Sequence, residues 1–162
     1  MTLIVCPDRP PFPRTTPLVF LAGGITGCED WQTDFAERFD ADDTSVILVN
    51  PRRAEFGDVT DPVLGDEQIG WECEYLDQAE HVIFWFPNTA ACIMTQHELG
   101  AAVERERIAE RSGKPERRVL VGVEPGYMRE FDVHTQARKK TPWIDVVDNL
   151  DDLYFQLDQR RG

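Results

Sequence analysis

Basic residues are scarce in this chain relative to acidic ones. Its 162 residues include 17 lysines and arginines against 30 aspartates and glutamates, which gives a formal net charge of −13. Nucleic-acid polymers and anionic membranes are bound through basic patches. The charge balance therefore argues against both as partners, although it leaves room for one small nucleoside or nucleobase in a pocket.

Cysteine pairs, metal-ligand spacings and long apolar runs are also missing. The four cysteines form no C-x-x-C pair, and the three histidines lie far apart in the sequence. We find neither a signal peptide nor an apolar span of membrane length. Isolated thiols without a leader are typical of the reducing cytosol, so we expect a cytoplasmic protein without a metal or cofactor.

What the chain does have is the composition of a globular domain. Hydrophobic residues make up 41% of it and charged residues 29%. We predict one domain over residues 1–162, because this length is sufficient for a single sizeable core. Its first 17 residues are rich in proline and predict an extended, irregular arm, although residues 2–6 could form a short strand.

Short apolar runs alternate with amphipathic segments along the rest of the chain. Strands are predicted at 18–22, 45–49, 82–86, 118–123 and 143–147. Helices are predicted at 30–39, 67–79, 131–139 and 150–159, with one more beginning after Thr95 and a long surface loop at 54–66. This alternation predicts an α/β fold: one doubly wound domain with right-handed crossovers and helices on both faces of a parallel sheet.

The most informative segment runs from Glu80 to Glu104. Its apolar run at 82–86 is typical of a strand buried on both faces, and Thr95 is the predicted N-cap of the helix that follows, with Glu98 at the third helical position. Glu98 then has two interpretations. It can close a capping box with Thr95, or it can be an ionised carboxylate at the ligand-binding edge of the sheet and act as a nucleophile. The local pattern does not choose between them.

A glycine-rich turn follows the first convincing strand. Gly23 and Gly24 open the sequence G-G-I-T-G, in which backbone N–H groups can approach a ligand closely. The spacing is not G-x-G-x-x-G, so a dinucleotide site is unsupported. A tight turn that binds nothing is equally consistent with these residues.

Several segments, in order along the chain, resemble a known family. They are F-L-A-G-G-I-T-G-C-E-D-W-Q (20–32), N-P-R-R (50–53), Q-I-G-W-E (68–72), V-I-F-W-F-P (82–87), H-E-L-G (97–100), V-G-V-E-P-G-Y-M-R (121–129) and D-V-H-T-Q (132–136). Together they resemble the nucleoside 2-deoxyribosyltransferase-like family over nearly the whole chain. The resemblance implies a flavodoxin-like sheet of five parallel strands, for which we predict the order 2-1-3-4-5, and assembly into a homo-oligomer, a dimer or larger.

The same resemblance implies roles for individual residues. Glu98, the glutamate of E-L-G, becomes the nucleophile that attacks the anomeric carbon, and Glu72 becomes the acid that handles the nucleobase. Glu72 would need burial, for example against Trp71, to stay protonated, and we expect both carboxyl groups to face one cleft. The predicted substrate-binding residues are Gly23, Gly24, Asp30, Trp31, Asn50, Arg52, Trp71, Cys92 and Tyr127.

The chain departs from the family pattern at two positions. Phe20 stands where the family has a tyrosine that hydrogen-bonds the nucleophile, and Cys92 stands where it has an aspartate that contacts the sugar. In addition, Gly24 and Thr26 replace the serine and arginine of a branch that hydrolyses deoxynucleoside monophosphates, which favours a free nucleoside or modified base over a nucleotide.

Three functions stay open from the sequence. The first is a transferase that passes the sugar of a nucleoside to another base or to water through a covalent glycosyl-Glu98 intermediate. The second is an N-glycoside hydrolase that acts on a nucleoside or nucleotide. The third is a non-catalytic protein that binds a nucleoside-like metabolite.

Overall fold

The computed structural model of the chain describes residues 2–11, 15–39, 45–54 and 61–161. Its elements are β1 (Thr2–Val5), β2 (Leu18–Gly23), α1 (Trp31–Ala36), β3 (Ile47–Asn50), α2 (Pro62–Gln78), β4 (His81–Phe86), α3 (Ile93–Arg111), β5 (Val119–Val123), α4 (Glu130–Lys140), β6 (Val146–Val147) and α5 (Leu150–Arg161). The strands form one sheet in the order β1-β3-β2-β4-β5-β6. The predicted α/β, flavodoxin-like class is therefore confirmed.

The sheet has one strand more than the five predicted. β1 pairs in parallel with β3, from Thr2 opposite Ile47 to Val5 opposite Asn50. It can do so because the prolines of this segment begin only after Val5, so every residue of β1 keeps its backbone N–H. With β1 set aside, the other five strands follow the predicted order 2-1-3-4-5. Residues 12–14 of the predicted arm lie outside the described residues.

The inner strands are buried along almost their whole length. Every residue of β3 and β5 is buried, and so are residues 18–22 of β2 and 82–86 of β4. Strands without an exposed face need cover on both sides, which the helices of crossover connections supply in α/β proteins. No helix in the part of the chain that the structure describes has the length and apolar character to cross a membrane.

The described residues divide into two compact units. The first unit comprises residues 2–21 and 32–82, and the second comprises residues 22–31 and 83–161. Aromatic side chains pack within each: the ring centroids of Trp71 and Tyr75 lie 4.4 Å apart in the first unit, and those of Phe86 and Tyr127 lie 5.3 Å apart in the second. The single domain over residues 1–162 stays a prediction.

α3 begins earlier than the sequence indicated, and this changes the position of Glu98. The first helical residue is Ile93, and the N-cap is Cys92, which has left-handed backbone angles (φ 50°, ψ 41°) and makes no side-chain capping hydrogen bond. Thr95 is therefore a buried residue inside the first turn, and Glu98 lies in the second turn. The predicted capping box was wrong. The helix dipole is also a weaker reason for Glu98 to be ionised, because its effect falls off within the first turn.

α2 also begins earlier than predicted, inside the expected loop at 54–66. Asp61 is its N-cap and accepts a hydrogen bond from the Val63 backbone N–H at 2.8 Å, while Pro62 takes the first helical position, where its missing N–H is not needed. The helix therefore starts at Pro62 rather than Glu67. Residues 55–60 of the predicted loop lie outside the described residues.

Two other elements are shorter than predicted. α1 ends at Ala36 instead of Phe39, because the N–H groups of Arg38 and Phe39 bond three residues back, in tight turns. β6 contains only Val146 and Val147 of the predicted 143–147, because the Ile144 N–H closes a turn on the carbonyl oxygen of Thr141 at 2.8 Å.

Candidate functional site

α2 places Glu72 one turn after Gln68 in the first unit. This spacing brings their side chains together, and Gln68 Nε2 donates a hydrogen bond to Glu72 Oε1 at 2.6 Å. Gln68 is buried and Glu72 is half-buried. The Glu72 carboxyl group is therefore not the fully solvated helix charge that its position in an acidic helix would indicate.

The Gln68 amide uses its full hydrogen-bonding capacity. Its Oε1 accepts from Arg53 Nε at 2.7 Å and from the Cys6 thiol at 3.0 Å. Its Nε2 donates to the backbone oxygen of Pro51 at 2.8 Å as well as to Glu72. Gln68 was not among the predicted site residues. Its spacing of four residues from Glu72 on one helix face was the signal that could have found it.

The environment of Glu72 favours the protonated carboxyl group. Burial raises the pKa of Glu72, and the hydrogen bond from Gln68 and the charge of Arg53 offset this only in part. Arg53 is itself held by an ion pair with Glu67, in which NH2 and Oε2 are 2.6 Å apart. A raised pKa is what a group needs in order to donate a proton near neutral pH.

Trp71, the neighbour of Glu72 along the chain, belongs to the core of the first unit. Its side chain is fully buried, and its indole Nε1 donates to the backbone oxygen of Asp8 at 2.9 Å. Its ring also packs against Tyr75 and Phe20. The structure thus gives Trp71 a packing role, while its predicted contact with substrate stays a prediction.

The N-P-R-R turn after β3 is held by its own side chains. Asn50 is buried, and its Oδ1 accepts the backbone N–H of Arg52 at 2.8 Å, which is an Asx turn. Arg52 is half-buried, and its Nε donates to Gln32 Oε1 at 3.1 Å. Asn50 and Arg52, two of the predicted substrate-binding residues, therefore help to hold the loop from which Arg53 contacts Gln68.

In the second unit, packing alone accounts for Gly23 and Gly24. A Cβ on Gly23 would lie 2.5 Å from Trp31 Cζ2 and 2.6 Å from the backbone oxygen of Trp85, and one on Gly24 would lie 2.8 Å from Pro87 Cγ. The indole Nε1 of Trp31 donates to the Gly24 oxygen at 3.0 Å. No ligand is needed to explain either glycine. The same contacts place the turn after β2 beside the loop that leads into α3.

Cys92 is a buried, protonated thiol at the start of α3. Burial raises the pKa of Cys92 to about 12, with a further rise from Cys28 and an opposing backbone hydrogen bond from Gly24. Its Sγ donates to the backbone oxygen of Ala90 at 3.7 Å. A thiol with this pKa is neither charged nor nucleophilic near neutral pH, so it does not replace the charge of an aspartate.

Tyr127 fastens the loop that precedes α3. Its hydroxyl group donates to the backbone oxygen of Ala91 at 2.9 Å and accepts from Gln96 Nε2 at 2.6 Å. Burial raises the pKa of Tyr127, so the hydroxyl keeps the proton that it donates. This buried side chain therefore ties the loop to the first turns of α3.

The two remaining predicted residues are Glu98 and Asp30. Glu98 is half-buried in the second turn of α3, and Asp30 is exposed immediately before α1. Each makes an interaction within the protein. Glu72 belongs to the first unit and Glu98 to the second, and the meeting of their carboxyl groups in one cleft stays a prediction.

Neither a metal centre nor a disulfide is found among the described residues. No three histidine, cysteine, aspartate or glutamate side chains in these ranges are arranged to hold a metal ion. The four cysteines are free thiols.

The sheet order defines the class of doubly wound α/β proteins. A family model described as Nucleoside 2-deoxyribosyltransferase like matches residues 16–109, which is more than half of the chain. The protein therefore belongs to the nucleoside 2-deoxyribosyltransferase-like family. The matched range contains both Glu72 and Glu98. No curated protein matches the chain significantly.

Proposed function

We propose that this protein is an enzyme that cleaves the N-glycosidic bond of a nucleoside and passes the sugar to another base or to water. Membership of the family supports a nucleoside as substrate. The observation that carries the mechanism is the raised pKa of Glu72, because burial shifts this carboxyl group toward the protonated form that a departing base requires. The net charge of −13 suits a small substrate rather than a nucleic-acid polymer.

In the proposed reaction, Glu98 is the nucleophile and Glu72 is the general acid. An oxygen of ionised Glu98 forms a bond to the anomeric carbon, while the bond from that carbon to the base nitrogen breaks and its electron pair stays on the base. Glu72 gives its proton to that nitrogen. In the second half, the Glu72 carboxylate takes a proton from the incoming base or water, whose attack on the anomeric carbon releases Glu98.

A second candidate is a protein that binds a nucleoside-like metabolite without turning it over. Two observations favour it. Phe20 is buried against Trp71 and has no hydroxyl group, and Cys92 is a neutral thiol, so neither supplies the polar group that the family has at its position. Glu72 and Glu98 are both present, which favours the enzyme.

We also propose a homo-oligomer, a dimer or larger, that works in the cytoplasm. Free cysteines support the reducing compartment. Large apolar side chains at the start of α3 and near the start of α4 support association, because they are 61% to 77% exposed: Ile93, Met94, Met128 and Phe131.

The test is an assay of base release and base exchange with a panel of 2-deoxyribonucleosides and free bases. The wild type is expected to release base, and a new nucleoside in the presence of a second base distinguishes transfer from hydrolysis. Glu98→Gln is expected to lower turnover on the order of 10³-fold or more, because it removes the nucleophile. Its substrate affinity, measured by calorimetry, is expected to remain.

Glu104→Gln is the matched control, since Glu104 lies on the same helix, is largely exposed and pairs with Arg107. It is expected to behave as the wild type. Turnover that survives intact in Glu98→Gln removes Glu98 from the mechanism. Nucleoside binding without turnover in all three proteins establishes the second candidate instead.

A further inference from the structure

Three neighbours fix the orientation of the Gln68 amide. The guanidinium group of Arg53 can only donate, and its Nε lies 2.7 Å from Gln68 Oε1. The backbone oxygen of Pro51 can only accept, and it lies 2.8 Å from Gln68 Nε2. The Cys6 thiol, 3.0 Å from Oε1, remains a donor because burial raises its pKa. If the amide were reversed, its NH2 group would face the N–H of Arg53, and its oxygen would face the backbone oxygen of Pro51. Neither pair could form a hydrogen bond.

The fixed amide determines which oxygen of Glu72 can carry the proton. Gln68 Nε2 donates to Glu72 Oε1 at 2.6 Å, so Oε1 is an acceptor whether the carboxyl group is neutral or charged. A proton on Oε1 would compete with the amide N–H for the lone pairs of that oxygen. Within the described ranges, no residue donates a hydrogen bond to the other oxygen, Oε2. Oε2 is therefore the oxygen on which the proton can reside.

The amide is in turn held by a chain of contacts that reaches the surface. Arg53 lies on the loop after β3 with its side chain 13% exposed, and its NH2 pairs with Glu67, whose side chain is 52% exposed, at 2.6 Å. The groups that bear on Glu72 from neighbouring elements are thus Arg53 with its partner Glu67, and the Cys6 thiol beyond Gln68. Arg53 is held by Glu67 as well as by Gln68, so its Nε stays beside Gln68 Oε1. The Gln68 amide therefore keeps its orientation.

We propose that Gln68, held by Arg53, is a positioning residue that confines the transferable proton of Glu72 to Oε2 and stabilises the carboxylate that remains once the proton has left. The proposal rests on the proposed function only for the identity of the proton acceptor. When the Oε2–H bond breaks, the proton goes to the departing base nitrogen and the electron pair stays on Glu72. The hydrogen bond from Gln68 then becomes charge-assisted and therefore stronger.

The direct test is a titration of Glu72 by carbon NMR in protein labelled at glutamate carboxyl groups, with Glu72→Gln used to identify the signal. Gln68→Met removes the N–H donor, so we expect the pKa of Glu72 to be higher than in the wild type. Gln78→Met is the matched control, because Gln78 lies on the same helix and its Nε2 donates to Glu74 rather than to Glu72, at 3.4 Å. It is expected to leave the titration of Glu72 unchanged.

A second variant keeps the proposal falsifiable if Gln68→Met does not fold. Gln68→Glu preserves the volume and the contact with Arg53 but offers Glu72 an acceptor instead of a donor, and it is expected to raise the pKa of Glu72 as well. An unchanged titration of Glu72 in a folded variant of Gln68 would overturn the proposal. This measurement requires no turnover, so its failure is distinct from failure of the proposed function.

The kinetic readout compares two leaving groups. The base of 2′-deoxyadenosine leaves readily only when it is protonated, whereas the base of 7-methyl-2′-deoxyguanosine already carries a positive charge. Gln68→Met is expected to lower kcat for the first substrate roughly tenfold or more and to leave kcat for the second nearly unchanged. Equal losses on both substrates would mean a purely structural role and would overturn the proposal. Absence of wild-type turnover would contradict the proposed function, and the NMR titration would still test the effect of the Gln68 hydrogen bond on Glu72.

Discussion

At the scale of single residues, Glu72 imposes a penalty on folding and has a proposed role in proton transfer. Its carboxyl group is half-buried and its pKa is raised, mainly by that burial. The charged form is therefore less stable in the folded protein than in water. Such a penalty is common for groups that transfer protons. The burial that shifts their pKa also removes the water that would stabilise their charged form.

Glu72→Gln is expected to make the protein more stable at alkaline pH. The folded-state pKa lies above the reference value of 4.5, so the proton bound by Glu72 favours folding below that value, and this contribution is lost as pH rises through the folded pKa. Glutamine stays neutral and still accepts the hydrogen bond from Gln68. Thermal unfolding at about pH 8 should give the variant the higher Tm, and the difference should vanish near about pH 4. A variant less stable than the wild type only at the higher pH would mean that folding favours the charged carboxylate.

The sequence allowed us to propose candidate site residues, but it did not reveal which side chains form hydrogen bonds with them. Glu72 was predicted to need burial in order to stay protonated; it is half-buried with a raised pKa, and its role as the acid stays a prediction. Gln68 was missed, although it stands in the same motif, because a polar residue on a helix is usually solvated and only burial reveals its four contacts. Tyr127 was predicted to bind substrate, and the contacts that fasten its hydroxyl group to Ala91 and Gln96 depend on tertiary packing that local sequence does not encode.

At the scale of elements, the last residue of β2 and the turn after it pack so closely on the end of β4 and the loop before α3 that side chains are excluded between them. Gly23 approaches the backbone oxygen of Trp85 and the Trp31 ring, and Gly24 approaches Pro87 and Ala90. Backbone atoms and a proline ring cannot move aside as a flexible side chain can. The absence of a Cβ at these two positions is thus a requirement of the fold itself.

Gly23→Ala is expected to destabilise the protein by about 1–3 kcal/mol or to prevent folding, because its methyl group would overlap both neighbours. Gly70→Ala is the matched control. Gly70 is exposed in the middle of α2, and an added Cβ would meet nothing within 4 Å. This second change is expected to stabilise the protein by roughly 0.5–1 kcal/mol, through the higher helix propensity of alanine. Urea unfolding of both variants checks the pair, and a Gly23→Ala protein as stable as the wild type would contradict the packing.

Element boundaries were the least predictable feature of the fold. Asp61 and Pro62 are a regular N-cap and first helical residue, but in the sequence they lie among glycines and acids that also suit a loop. The start of α3 offered no such signal. A left-handed cysteine without a side-chain hydrogen bond precedes the exposed Ile93, so Thr95 was the natural but wrong choice for its N-cap.

At the scale of the whole molecule, the class of the sheet could be predicted because buried parallel strands leave unbroken apolar runs. The order of five strands was predicted from the family resemblance. β1 was harder to predict, since it is four residues long, lies at the edge of the sheet and is followed by a proline-rich segment. The predicted meeting of Glu72 with Glu98 depends on long-range geometry, for which sequence pattern alone offers no measure.

The proposed assembly predicts a mass in solution that is a multiple of 18.6 kDa. The exposed apolar side chains near the starts of α3 and α4 would be covered in such an assembly. Size-exclusion chromatography with light scattering measures this mass directly. A mass of one chain over the whole range of protein concentrations would contradict the homo-oligomer.

The central claim is that Glu98 becomes covalently bonded to the sugar, and mass spectrometry of acid-quenched protein tests it most directly. Wild-type protein mixed with a 2-deoxyribonucleoside, without an acceptor base, is expected to gain the mass of one 2-deoxyribosyl group on the peptide that contains Glu98. Glu104→Gln should gain the same mass, and Glu98→Gln should gain none. Base release by the wild type that leaves this peptide unmodified, and that proceeds equally fast in Glu98→Gln, would contradict the account.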